Sequence, residues 1–399
     1  MSSTKKKPFS MNLRDVENFF KYRRMPYPKR SAEFIALIAV SCTLFLFLHT
    51  KSLNSRLHEM EIKLQPSELS AIGLSASNAI QSGSDSKSDL KGVHGTYQYL
   101  KSTGQTLPAE TADDLNNTKN ARMDIVFFNR VPKTGSQALM QLVKELTPIN
   151  KIQTARDKAQ KYETVIMGPL HQINVAEEVA EQKEPTFYSK HVAYINFTRY
   201  ELPKPIYINL VRDPIERIIS WYNYVRAPWY YKQLQSIFKD VKIPEKEWME
   251  LDFDTCVRQK NKLCVFEQGV INDGSSDHRR QTLFFCGHNR AECLPFNSRD
   301  VLQKAKTIVE EEYAVVGTWE EPNITLSVLE HYVPMFFKGI TEVYYNKKEK
   351  FDKVNKNSLK KPVSDEVREM LRRNLTNEIE FYEFCKQRLH KQYKALRLN

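Results

Sequence analysis

The chain of 399 residues is short of basic charge where a nucleic-acid-binding surface would need it. Its net charge is +12, but residues 1–30 hold nine Lys/Arg against Asp15 and Glu17, a surplus of +7. That leaves only +5 for the other 369 residues, so the basic character is mostly an N-terminal feature and argues against a nucleic-acid partner. The sequence has no internal repeat. It has no Gly-x-x-x-x-Gly-Lys-Ser/Thr, which argues against a Walker-type NTP site. Its six cysteines include no pair at the two-to-four-residue spacing of a zinc knuckle.

Charge is also missing between Glu33 and Lys51, a window of 17 residues that includes the apolar run Phe34–Leu48. That is the short end of the ~17–25 residues needed to cross a bilayer. A basic region followed by an apolar run also describes a signal peptide. Here, however, the run ends in Phe45-Leu46-Phe47-Leu48-His49 with no small-residue cleavage site. The expectation is an uncleaved signal anchor at 31–50 with a cytoplasmic basic tail at 1–30, because the basic flank stays inside. A short span suits a thin early-secretory or Golgi membrane. Residues 51–120 are expected to form a lumenal stem. Leu53, Leu57, Met60 and Leu64 would fit two heptads, after which the chain turns to Ser, Gly, Asn and Asp without periodicity.

From about residue 121 to 399 the pattern becomes that of a folded α/β domain. Apolar runs at Ile125–Phe128, Pro205–Val211 and Tyr313–Gly317 read as strands, each followed by a helical pattern, and His191–Phe197 is a further apolar segment. Asp213 suits an N-cap and Pro214 the first helical position. Buried-looking strands alternating with helices predict a central parallel sheet flanked by helices, with ligands beyond the C-terminal strand ends. Arg130–Ser136, His191 and Arg212 would fall there.

The stretch Arg130-Val131-Pro132-Lys133-Thr134-Gly135-Ser136-Gln137 lies between a strand and a helix. A helix N-terminus offers free backbone N–H groups and a positive dipole end, and a lysine beside it makes an anion cradle. The alternative is a surface turn that happens to hold a lysine. Cys256/Cys264 and Cys286/Cys293 read as two local disulfides in an oxidising lumen, with a zinc site as the rival. Cys385 is left as a buried thiol on the terminal helix. Sequons at Asn116, Asn196, Asn323 and Asn374 agree with a lumenal, glycosylated domain. Asp252-Phe253-Asp254 has the form of a metal–nucleotide-sugar motif, so a Golgi glycosyltransferase is a second reading. A non-catalytic type II membrane protein is a third.

Asn129-Arg130-Val131-Pro132-Lys133, His191-Val192, Ile208–Arg217, Phe285-Cys286-Gly287-His288 and Phe381–Phe384 occur in that order across residues 124–385. Together they resemble the uronyl/heparan sulfate 2-O-sulfotransferase family, nearest its insect Pipe branch. The resemblance implies a PAPS-dependent sulfotransferase fold and 3′-phosphoadenosine 5′-phosphosulfate (PAPS) as co-substrate, with no metal. It implies an acidic glycan or glycoprotein acceptor and self-association. Lys133, Thr134, Gly135, Ser136 and Gln137 match the 5′-phosphosulfate loop, with Lys133 stabilising the leaving group. Arg212 and Ser220 match the 3′-phosphate site, His191 the catalytic base and Arg130 a substrate-side arginine. Heparan-type enzymes carry a second histidine where this chain has Ser189. His288, beside the second cysteine pair, is expected to be structural.

Overall fold

The computed structural model describes residues 110–397 except 162–163, 184, 272–276 and 355–360. The expected basic tail, the signal anchor at 31–50 and the stem as far as 109 lie outside these residues. Residues 110–120, assigned to the stem from sequence, instead pack against the folded domain. Asn117 donates to the carbonyls of Glu310 and Tyr313, and Gln392 to that of Leu115. Among the described residues no helix is long and apolar enough to cross a membrane.

Five parallel strands form one sheet in the order β2-β3-β1-β4-β5. They are β1 (Arg122–Phe128), β2 (Gln153–Arg156), β3 (Thr186–Ser189), β4 (Pro205–Val211) and β5 (Tyr313–Thr318). Every residue of β4 and of β5 is buried, as expected when helices cover both faces of a parallel sheet. Alternate side chains of β1 divide between two cores. Ile125 and Phe127 pack on one face with α2 (Pro169–Ala180) and α5 (Arg299–Glu312). Val126 and Phe128 pack on the other with α1 (Ser136–Asn150) and α6 (Pro322–Tyr332). A third cluster lies where α3 (Pro214–Val225) meets the segment around Cys256 and Cys264 and α7 (Asp365–Asn374). The terminal α8 (Thr376–Arg397) carries the buried free thiol of Cys385.

The strand next to His191 is Thr186–Ser189, and the run His191–Phe197, read from sequence as a further apolar segment, is irregular chain, buried at Val192–Ile195 and Phe197 with Asn196 exposed. Its backbone groups bond elsewhere: Ala193 N–H donates to Val165 and Tyr194 N–H to Phe284. The edge strand β2 has no apolar alternation and carries no strand signal. Both cysteine pairs are disulfides, Cys256–Cys264 and Cys286–Cys293.

From β1 the sheet grows in both directions, with β3 on one side and β4 on the other. Loops leaving neighbouring strands on opposite courses open a crevice at their C-terminal ends, the usual ligand position in open α/β sheets.

Candidate active site

The crevice holds a cavity of about 780 Å³, within the ~300–1,000 Å³ typical of small-molecule sites. The loop after β1 forms one wall. Its geometry is fixed from below by Asn129, which is fully buried. Asn129 Nδ2 donates to Phe284 O at 2.9 Å, its Oδ1 accepts from Tyr313 Oη at 2.8 Å, and its own carbonyl accepts from Asn209 Nδ2 at 2.8 Å. Such a satisfied polar network rigidifies the backbone it grips. Above it Lys133 has φ 67° and Gly135 φ 91°. The left-handed region is cheap for glycine and strained for lysine. The result is a tight turn that delivers Ser136 as the first residue of α1.

Lys133, Gly135, Ser136, Gln137, Arg212 and Ser220 all line this cavity. Arg212 stands at the end of β4 and Ser220 two turns into α3, whose start is fixed by Asp213 accepting from Glu216 N–H at 2.8 Å. Arg212 also donates to the Lys133 carbonyl at 3.3 Å, tying the loop after β1 to the end of β4. Thr134 is different. It is fully buried and its hydroxyl donates to Val131 O at 3.0 Å, so it supports the turn and turns no side chain into the cavity. The Lys133 ammonium lies 3.9 Å from the centre of the Tyr224 ring. Burial, and then the Arg212 charge, lower its pKa to about 8.

His191 lies just past the end of β3 and is locked to Arg130 at both ring nitrogens. Arg130 Nε donates to His191 Nε2 at 2.8 Å, and His191 Nδ1 lies 2.9 Å from the Arg130 carbonyl. A guanidinium only donates, so Nε2 carries the lone pair and Nδ1 the proton. Burial, and next the Arg130 charge, hold the imidazole well below the usual 6.5. His191 is thus a neutral base whose basic nitrogen is oriented and capped.

The cavity also contains groups to which the sequence assigned no role. Ser189, in the position of the missing second histidine, lines it, and a second imidazole comes from His278. That ring stacks on Trp221 with centroids 4.7 Å apart and planes at 15°. Burial lowers it to about 4, opposed by Asp277 and assisted by Arg217. Tyr224, Trp229, Tyr230, Tyr231 and Trp248 make a further wall. The run Trp229-Tyr230-Tyr231 was visible in the sequence, but nothing local to it says which surface it faces. His288 is structural as expected, its Nδ1 accepting from Met167 N–H at 3.0 Å. Among the sequons, Asn196 and Asn323 are exposed, while Asn116 and Asn374 are half-buried.

The Asp252-Phe253-Asp254 motif is spent on local structure. Asp252 caps the short helix Phe253–Arg258 by accepting from Thr255 N–H at 2.9 Å. Asp254 accepts from Ser364 N–H at 3.0 Å. Among the described residues no group of His, Cys, Asp and Glu is arranged to hold a metal ion.

A family model described as "Sulfotransferase family" matches residues 117–385, which spans this whole constellation. The chain belongs to the sulfotransferase family. The resemblance to uronyl and heparan sulfate 2-O-sulfotransferases is borne out by individual relatives of this sulfotransferase. It is 46% identical to the Drosophila melanogaster protein named "Uronyl 2-sulfotransferase homolog pip", over 99% of this chain and 95% of that one. It is 32% identical to "Heparan sulfate 2-O-sulfotransferase 1" of Xenopus laevis, over 65% of this chain and 69% of that one. The human protein of the same name is 31% identical over the same shares.

Proposed function

We propose that this chain is a Golgi type II membrane sulfotransferase with a lumenal catalytic domain. It would transfer sulfuryl from PAPS to a uronic acid 2-hydroxyl of a glycosaminoglycan or glycoprotein glycan. The observation that carries the reading is the meeting of Lys133, the α1 N-terminus, Arg212 and Ser220 with the neutral His191 in one cavity. The donor has two anionic ends, and these residues offer two cationic cradles. Lys133 and the N–H groups at Gly135–Gln137 suit the 5′-phosphosulfate. Arg212 with the Ser220 hydroxyl suits the 3′-phosphate, for which a guanidinium supplies several charge-assisted donors. The two disulfides and the sequons agree with a lumenal location.

PAPS supplies an activated sulfuryl group and departs as 3′,5′-adenosine bisphosphate (PAP). The acceptor oxygen forms the new S–O bond as the bond to the bridging phosphate oxygen breaks. Lys133 stabilises the charge left on that oxygen. His191 Nε2 takes the hydroxyl proton, and its Nδ1–H, held by the Arg130 carbonyl, keeps that lone pair aimed. For this the hydroxyl must replace Arg130 Nε at Nε2. A uronate carboxylate provides the means, because it draws the guanidinium into an ion pair as the hydroxyl arrives. Arg130 thereby keeps the base covered until an acidic acceptor is bound.

The test is transfer of labelled sulfate from PAPS to glucuronate- and iduronate-containing polymers by the purified full chain. Substituting His191→Ala should lower the rate by ~10²–10⁴ while PAP still binds. No transfer to any acceptor with PAP binding intact, and a His191→Ala variant indistinguishable from the parent, would defeat this reading.

A further inference from the structure

The helix α4 (Pro228–Ile237) poses a problem of composition. It begins Pro-Trp-Tyr-Tyr, yet none of its ten residues is buried, and Trp229 remains 47% exposed. Large aromatic side chains normally repay their size by burial or by holding a ligand. Here the rings face the cavity. Trp229 and Tyr230 each pack edge-on to Tyr224 with centroids 5.1 Å apart, and Tyr231 packs edge-on to Trp248 at 6.3 Å. Trp248 is held from behind by the Arg226 guanidinium, 4.0 Å from its ring and 3.5 Å from that of Tyr222. The wall is therefore a fixed array of rings.

The segment 156–161, directly after β2, lines the same cavity. It carries Arg156, Lys158 and Lys161 against Asp157. Two of these charges are already engaged: Lys190 pairs with Asp157 at 2.6 Å, and Lys161 pairs with Asp240 just beyond α4. Arg156 and Lys158 are left exposed. Among the described residues lining the cavity, six Lys/Arg side chains stand against one carboxylate, that of Asp157, so an anionic occupant is favoured.

We propose that the α4 rings with Trp248 form the platform on which the acceptor saccharide lies. Its sugar C–H faces rest on Trp229 and Tyr231, and its carboxylates turn to Arg156 and Lys158. This deepens the sulfotransferase reading and rests on it only for the acceptor's role as substrate, not for binding. Single-stranded nucleic acid also combines stacking with charge. The chain outside residues 1–30 is too weakly basic for it, and a sugar ring with one carboxylate per disaccharide matches two free cations beside a short row of rings.

The probe is a hexasaccharide of alternating glucuronate and N-acetylglucosamine, with its carboxyl-reduced counterpart and an oligothymidylate as comparisons. Each is titrated into the full chain saturated with PAP, by calorimetry and tryptophan fluorescence. Trp229→Ala should weaken the hexasaccharide by about tenfold, the scale of one lost aromatic anchor, with the PAP affinity unchanged. Trp229→Phe should recover most of the loss. Arg156→Ala with Lys158→Ala should reduce the preference for the carboxylate form several-fold, leaving the share that belongs to Arg130. If PAP fails to bind while the hexasaccharide still binds and is lost in Trp229→Ala, the platform stands and the PAPS reading falls. The proposal is overturned if a protein that binds PAP ignores the hexasaccharide, if Trp229→Ala and the double variant bind it like the parent, or if oligothymidylate binds more tightly.

Discussion

The two ends of the cavity are built by different rules. The proposed donor end is backbone geometry: a strand, a turn with two positive φ angles at Lys133 and Gly135, and a helix N-terminus, with Arg212 and Ser220 arriving on the next strand and helix. The proposed acceptor end is side-chain surface, assembled from α4, Trp248 and the 156–161 segment. Phosphate-type groups have one charge and one shape, so a short stretch of main chain can be committed to them. A sugar face is broad and varied, and rings and cations from separate segments can meet it. Tyr224 touches both ends: its ring covers the Lys133 ammonium, and its edges meet Trp229 and Tyr230.

The largest effect should come from the donor end. On the proposed mechanism Lys133→Ala removes a cation from where charge develops as sulfate leaves, which costs ~10²–10³ in kcat for a single stabilising donor. A lysine in that role serves the leaving group, so the KM for the glycan should barely move. Steady-state kinetics with both substrates varied separate these quantities. A Lys133→Ala chain that lost acceptor affinity and kept its kcat would erase the division between the two ends.

The same division explains what the sequence disclosed. Ile125–Phe128 followed by Pro-Lys-Thr-Gly-Ser is local, so strand, turn and helix were all readable, as was Arg212-Asp213-Pro214 at the head of α3. His191 was placed correctly beyond a strand end, although the strand proved to be Thr186–Ser189. Four residues hydrogen-bonded along one edge to β1 and along the other to β2 give too short a run to detect. The apolar run after His191 forms no strand because its backbone finds partners in tertiary contacts with Val165 and Phe284. Nothing local marks Asn129 as the support of the turn, since its partners Asn209, Phe284 and Tyr313 are 80 to 184 residues away. The stacking of Trp221 on His278 across the cavity is hidden for the same reason.

The second effect concerns pH. Burial and Arg212 bring Lys133 to about 8, so its charge is present below that value and lost as pH rises through it. The alkaline limb of kcat/KM for PAPS, which reports the free enzyme, should therefore stand near 8. His191 is depressed below 6.5; it remains unprotonated through that value, and the acid limb should lie beneath it. Arg212→Gln removes a like charge, which should move the alkaline limb upward. It should also raise the KM for PAPS by ~10–100-fold, the scale of charge-assisted bonds worth ~1.5–3 kcal/mol. A limb that stays near 8 in the variant would mean that Arg212 does not act on Lys133.

A smaller effect is expected at the junction. Tyr224→Phe preserves the ring face over Lys133 and the edges toward α4, so both KM values should stay within about twofold. Tyr224→Ala removes a cation–π contact worth ~0.5–2 kcal/mol together with the support of Trp229. Both KM values should then rise several-fold. A rise in only one would assign Tyr224 wholly to that end of the cavity.

The smallest effect should be at Asp252, and it decides between two chemistries. A metal–nucleotide-sugar site would need both acidic groups of Asp252-Phe253-Asp254 aimed at one ion, and replacing either would abolish transfer. In the structure Asp252 accepts from the Thr255 N–H at a helix start and Asp254 from the Ser364 N–H. Asparagine caps helices about as well as aspartate, whereas alanine costs ~0.5–2 kcal/mol. Asp252→Asn should leave sulfate transfer and thermal stability near the parent values. Asp252→Ala should lower the unfolding temperature while the rate per folded molecule stays the same. The cap lies behind α3, where Tyr222 bonds to the carbonyls of Leu251 and Asp252. A loss of transfer in Asp252→Asn at unchanged stability would therefore point to chemistry away from the Lys133–His191 cavity.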